Sequence, residues 1–103
     1  MRKVVDGKMY NTEKATLVGE YSYGGPGDFE RIEEGLYVTQ KGNWFLAGEG
    51  GAKTQYARQV EQNCWTGGEG ITPLTRQEAF EWAQEHLDPD EYEEYFRDLI
   101  EEA

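Results

Sequence analysis

Carboxylates at helical spacing are the residues of this chain whose type and placement point most directly to chemistry. Between Arg76 and Ala103 stand Glu78, Glu81, Glu85, Asp88, Asp90, Glu91, Glu93, Glu94, Asp98, Glu101 and Glu102, with only Arg76 and Arg97 to oppose them. This stretch carries −9 of the formal net charge of −11, so the rest of the chain is nearly neutral. Glu78, Glu81, Glu85 and Asp88 fall at i, i+3, i+7 and i+10, and Glu91, Glu94, Asp98 and Glu101 repeat that spacing. Each set predicts a line of carboxylates along one helix face. At about 1.5 Å rise per residue, neighbours in a line stand roughly 5 to 6 Å apart, a little closer than successive phosphates of a nucleic-acid strand. Glu93 and Arg97 form the one obvious opposing pair, worth about a few tenths of a kcal/mol. Such rows are either a solvated outer face or a binding surface for a cationic partner. Their mutual repulsion costs stability, which favours a use for them.

Other chemistries find less support. Cys64 and His86 are the only thiol and the only imidazole, a possible nucleophile and base, but nothing in the sequence orients the pair. A lone cysteine is more often a small apolar side chain. A structural zinc site wants four ligands, and among so many acids no subset is marked out for Mg²⁺. No catalytic residue, metal or cofactor is therefore expected. Two glycine clusters, Gly48-Glu49-Gly50-Gly51 and Gly67-Gly68-Glu69-Gly70, lack the Lys and Ser or Thr of a phosphate loop, and each carries a glutamate that repels phosphate. Turns with positive φ are the expectation there.

The elements that would hold the acids can be read from the same letters. Thr75-Arg76-Gln77-Glu78 is a capping box, so a helix starts at Thr75, and Ala79, Phe80, Ala83 and Leu87 give it an apolar stripe. Asp88-Pro89 ends it and opens a second helix, with Asp88 as N-cap and Tyr92, Tyr95, Phe96, Leu99 and Ile100 on its inner face. Upstream, Val4-Val5 and Met9-Tyr10 around Asp6-Gly7 predict a hairpin, followed by one helical turn near Asn11 to Ala15. Thr16 to Tyr23 reads as a strand and Gly24 to Asp28 as a loop. Phe29 to Glu34 reads as a mixed, solvent-facing strand, Leu36 to Thr39 and Asn43 to Ala47 as a hairpin around Lys41-Gly42, and Ile71 to Leu74 as an edge strand because Pro73 cannot donate. Lys53 to Val60 reads as strand or short helix, with the spacing of Tyr56, Ala57 and Val60 favouring helix, and Gly19, Gly35 and Gly48 suggest bulges or close backbone approach. The expected architecture is α+β, a small bent antiparallel β-sheet packed against a C-terminal pair of amphipathic helices. It forms a single domain over 1–103, mostly β over 1–74 with the acidic helical pair over 75–103.

Bulk properties narrow the class. The chain has 103 residues, 37% of them hydrophobic, and its fourteen aromatics can build a core that a disordered acidic tail lacks. A single cysteine fits a reducing cytoplasm. No apolar run approaches the roughly 20 residues of a membrane span, and no signal-peptide core follows Met1-Arg2-Lys3. The negative charge argues against direct binding to nucleic acid or anionic lipid and favours a basic protein surface.

Three stretches carry a resemblance. Val5-Asp6-Gly7-Lys8-Met9-Tyr10-Asn11-Thr12-Glu13 is the first. Leu36-Tyr37-Val38-Thr39 with Lys41-Gly42-Asn43-Trp44-Phe45-Leu46 and Gly48-Glu49-Gly50-Gly51 is the second, and Pro73-Leu74-Thr75 with Glu78-Ala79 and Glu81-Trp82-Ala83 the third. Together they resemble small proteins carried on phages and conjugative elements of Gram-positive bacteria, and are most similar to the anti-CRISPR proteins that block type II-A systems. The resemblance implies a non-catalytic inhibitor acting in the bacterial host cell. Its partner would be the RNA-guided nuclease of a type II CRISPR system, bound before guide loading in competition with guide RNA or target DNA. A DNA mimic acting on a restriction enzyme, an antitoxin masking a basic toxin, and a structural or assembly protein of a mobile element are the alternatives.

Overall fold

Asp6 and Gly7 take positive φ angles of 51° and 78°, and the chain reverses there as the Asp-Gly pair predicts. The reversal joins β1 (Arg2–Val5) to β2 (Lys8–Asn11) in an antiparallel ribbon of its own. The computed structural model describes all 103 residues. After β2, the Asn11 side chain accepts the Glu13 N–H at 3.0 Å, and the Lys14 N–H donates to the Asn11 carbonyl at 3.1 Å. The expected helical turn is thus a single turn closed by an Asn side chain.

The main sheet has four antiparallel strands in the order β3 (Thr16–Tyr23), β4 (Ile32–Val38), β5 (Trp44–Gly50) and β8 (Gly68–Leu74). β4 and β5 form the hairpin anticipated around Lys41-Gly42, with Leu36 opposite Leu46 and Val38 opposite Trp44. β8, which contains Pro73, lies at an edge. Alternation along β4 and β5 builds two cores. Leu36, Trp44 and Leu46 face the helical segment and meet Ala79, Ala83, Leu87, Tyr92 and Phe96, while Phe45 and Ala47 face the other way and meet Tyr10 of the ribbon and Ile71. The molecule is α+β, with the sheet between the N-terminal ribbon and the C-terminal helical residues.

Helix α1 (Arg76–His86) begins with the predicted capping box. The second helix is the main correction. Only one α turn, α2 (Pro89–Tyr92), follows Asp88, and the chain continues as two 3-10 turns, Glu93–Tyr95 and Arg97–Leu99. Short isolated helices are marginal in water, and five acids crowd the seven residues from Asp88 to Glu94. Burial of Tyr92 and Phe96 in the core supplies the stabilisation instead, and the backbone leaves helical angles at both, with φ of −128° and −126°. Leu99 and Ile100, expected on the inner face, stand 38% and 42% exposed.

Residues 53–60 supply the second correction. They form turns and then β6 (Arg58–Glu61), which pairs with β7 (Cys64–Thr66) in a ribbon that joins no other strand. Asn63, at φ 61°, makes the reversal. The radius of gyration of 14.9 Å exceeds the about 13 Å of a compact chain of 100 residues, as suits a body that carries a two-stranded ribbon outside its sheet. No helix is long and apolar enough to cross a membrane.

The glycine clusters supply the third. Gly48-Glu49-Gly50 ends β5 and Gly68-Glu69-Gly70 starts β8, and the two are paired in register, Gly48 with Gly70, Glu49 with Glu69 and Gly50 with Gly68. They are strand rather than turn because the loop over residues 51–57 must pass close above them. A Cβ on Gly48 would lie 2.5 Å from the Tyr56 hydroxyl oxygen, and one on Gly68 would strike the Tyr56 carbonyl. Gly19 does the same for the helical side, lying beside a bulge after Leu17 with the Leu87 side chain seated on it.

Candidate functional site

All eight carboxylates singled out by spacing are exposed, but the structure gives them different roles. Glu78 accepts the Thr75 N–H at 2.8 Å while its own N–H donates to the Thr75 hydroxyl at 3.1 Å. Glu81 accepts from the Gln77 amide at 3.4 Å, and Glu85 lies 3.5 Å from the His86 imidazole. Asp88 caps the turn that follows, and its N–H donates to Glu91 at 3.1 Å. Of this first set only Glu78, Glu81 and Glu85 stand on α1; Leu87 and Asp88 are extended, so Asp88 lies past the helix end.

The second row does not survive as a line. Glu91 lies in α2, Glu94 in the first 3-10 turn, Asp98 in the second, and Glu101 beyond the last turn. Asp98 is also neutralised. Arg76 donates to both of its oxygens, at 3.0 and 2.5 Å, and to the Tyr95 carbonyl at 2.8 Å, with its guanidinium 5.4 Å from the centre of the Phe96 ring. The hydrogen bonds from Arg76 hold the Asp98 carboxyl below the usual carboxylate range, and the same contact holds Arg76 above its own. No other carboxylate of this segment meets a lysine or arginine.

A second acidic feature lies on the ribbon-facing side of the sheet. Ser22 stands opposite Glu33, Glu33 opposite Glu49 and Glu49 opposite Glu69. Directly opposed residues of adjacent strands share a face, so three glutamates form a row across three strands. Arg31 sits 3.5 Å from both Glu33 and Glu49. Glu33 is nevertheless held above the usual carboxylate range, first by its hydrogen bond with Glu49, then by desolvation and the charges of Glu49 and Glu20. A cleft of about 580 Å³ opens beside the row, lined among others by Glu20, Ser22, Glu33, Tyr37 and Glu49. Desolvation, then the charge of Glu20, pushes the Tyr37 phenol up. The repeated Gly-Glu-Gly at 48–50 and 68–70 was the only trace of this row in the sequence, since its members meet only once the register is set.

Glu34 corrects the reading of residues 29–34 as solvent-facing. It lies on the opposite face from Glu33 and is 9% exposed. Its carboxylate accepts from the Tyr56 hydroxyl at 2.5 Å, the Trp82 indole at 3.2 Å and the Gln55 amide at 3.2 Å. The sheet, the 51–57 loop and α1 are thereby tied to one side chain. Burial first, then the bond to Glu34, pushes the Tyr56 phenol well up. His86 packs on Tyr21 and Trp82, with ring centres 3.9 and 5.0 Å away. Cys64 stands exposed on β7, so the thiol and the imidazole are built into separate environments. No three His, Cys, Asp or Glu side chains are grouped to hold a metal ion.

No protein-family model, curated protein or solved structure matches this chain.

Proposed function

We propose that this chain is a non-catalytic inhibitor that docks an acidic face on a basic protein. The partner we assign is the RNA-guided nuclease of a type II CRISPR system in the bacterial cytoplasm, whose guide RNA loading or target DNA binding it blocks. One observation carries the reading: every carboxylate from Glu78 to Glu102 is exposed, and only Asp98 is matched by an arginine or lysine. An RNA-guided nuclease holds its heteroduplex in a positively charged channel that recognises backbone shape. Lined-up carboxylates on α1, continued by those of the turns after it, offer that channel a substitute for phosphate. Glu81, Glu85, Glu94 and Glu101 are the residues we place in contact, since neither a backbone cap nor Arg76 engages them.

The test is binding of the purified chain to a type II effector before and after guide loading, across a salt series. Screening shortens the reach of exposed charges to about 8 Å at physiological ionic strength, so affinity falls steeply with salt and the guide-free effector binds better. Changing Glu81, Glu85, Glu94 and Glu101 together to Gln weakens binding by roughly tenfold or more, mainly through the on-rate. A salt-independent affinity, or full binding by the neutralised variant, would overturn the reading in favour of an apolar assembly surface.

A further inference from the structure

We propose that the outer edge of β3 over Glu20–Tyr23 accepts an extended, basic segment of the partner protein as a fifth strand of the sheet. The inference rests on the reading of this chain as a binder of basic proteins and adds how the partner is held. β3 has a neighbour on one side only, and none of the backbone hydrogen bonds outside helices and ladders involves residues 16–23. Its outward N–H and C=O groups form a template for another strand. The opposite edge is less available, because β8 contains Pro73 and is approached at Gly68 by the Tyr56 carbonyl. The start of β3 is also closed, by the bulge after Leu17 and by Leu87 seated on Gly19. Glu20, Ser22 and Tyr23 are exposed and Tyr21 is half-buried.

Charge selects the occupant. Glu20 and Ser22 share the ribbon-facing side of the sheet with Glu33 and Glu49, along the cleft of about 580 Å³. An added strand places every second side chain on that face, beside Glu20 and near Glu33, where Arg31 pairs with Glu33 and Glu49 and Met1, its terminal ammonium bonded to Thr12, borders the cleft. Arginine or lysine at alternate positions meets these carboxylates. A second copy of this chain would bring further glutamates to them, and like charges facing each other across strands repel.

The probe is a short synthetic peptide of alternating arginine and valine, added to the whole chain at about 50 mM salt. It is compared with the same peptide N-methylated at every backbone nitrogen, which keeps the charge and loses the ladder on both edges. The first peptide slows amide hydrogen exchange within Glu20–Tyr23 by about tenfold or more at saturation, and the N-methylated one binds about tenfold more weakly. Glu20→Lys, on an exposed side chain, leaves the fold intact and weakens the first peptide roughly fivefold. Equal binding of both peptides, with protection appearing over Glu81–Glu94 instead, overturns the edge and leaves the proposed function standing. Protection of Glu20–Tyr23 that grows with protein concentration and no peptide overturns it in favour of self-pairing. If neither the peptides nor the nuclease bind, both readings fall.

Discussion

Glu34 shows what one residue can decide. A buried carboxylate with no arginine or lysine beside it is tolerable only because three neutral donors satisfy it. Tyr56→Phe removes the shortest of these bonds and leaves the packing, so stability measured by urea unfolding should fall by about 1.5–3 kcal/mol. Glu33 and Asp98 are titrating residues with opposite signs. The Glu33 pKa is raised on folding, so its contribution is favourable below its ordinary value and is lost as pH rises through the folded value. Glu33→Gln should therefore raise the thermal midpoint at pH 7 and change little at pH near 4. The Asp98 pKa is lowered, so its contribution is present above the ordinary value and disappears as pH falls through the folded one. Asp98→Asn should lower the midpoint at pH 7 and be silent in stronger acid; thermal scans of both variants across pH check the pair of signs.

At the scale of elements, local rules and tertiary contacts can be separated. The start of α1 needs only Thr75 and Glu78, whose reciprocal bonds are present. Thr75→Ala should cost about 1 kcal/mol in chemical unfolding. The helix ends just before Asp88-Pro89, as the letters predict, with Leu87 as its C-cap, but the segment after Pro89 shows periodicity without continuity. Tyr92 and Phe96 reach the core, and Leu99 and Ile100 do not, because Arg76 takes the Tyr95 carbonyl and Asp98 while the crowded acids oppose a longer helix. The glycine-rich strand ends behave likewise. They read as turns until the loop carrying Tyr56 is laid across them. Gly48→Ala should cost about 1–3 kcal/mol through overpacking against the Tyr56 hydroxyl and the Glu33 carbonyl, and loss of a slowly exchanging Tyr56 hydroxyl proton in NMR spectra would report the displaced ring.

For the whole molecule the governing quantity is a net charge of −11 on 103 residues. Most acids are exposed and few are paired, so the folded state carries a self-repulsion that salt relieves. Raising NaCl from about 10 mM to about 150 mM shortens the screening length from about 30 Å to about 8 Å, and the thermal midpoint should rise over that range. A midpoint independent of salt would mean that the charges lie too far apart to matter, and would weaken the case for a functional acidic face. The two apolar cores supply the stability that offsets that load: Leu36 and Phe45 are fully buried on opposite faces of the same hairpin, and neither depends on an ion pair.

By itself the sequence determined what depends on neighbours within one helical turn or one strand. That includes the Asp6-Gly7 reversal, the β4–β5 hairpin, the cap at Thr75, the concentration of charge after it and the stop at Pro89, because turn chemistry, alternation and capping act over a few residues. Only the tertiary structure decided where Glu34 is buried, which glutamates of distant strands stand in one row, and whether the last acids share a line. Each of those depends on strand register or on contacts between residues far apart in the chain, such as Glu34 with Trp82 and Arg76 with Asp98, and such contacts leave no periodic mark in the letters.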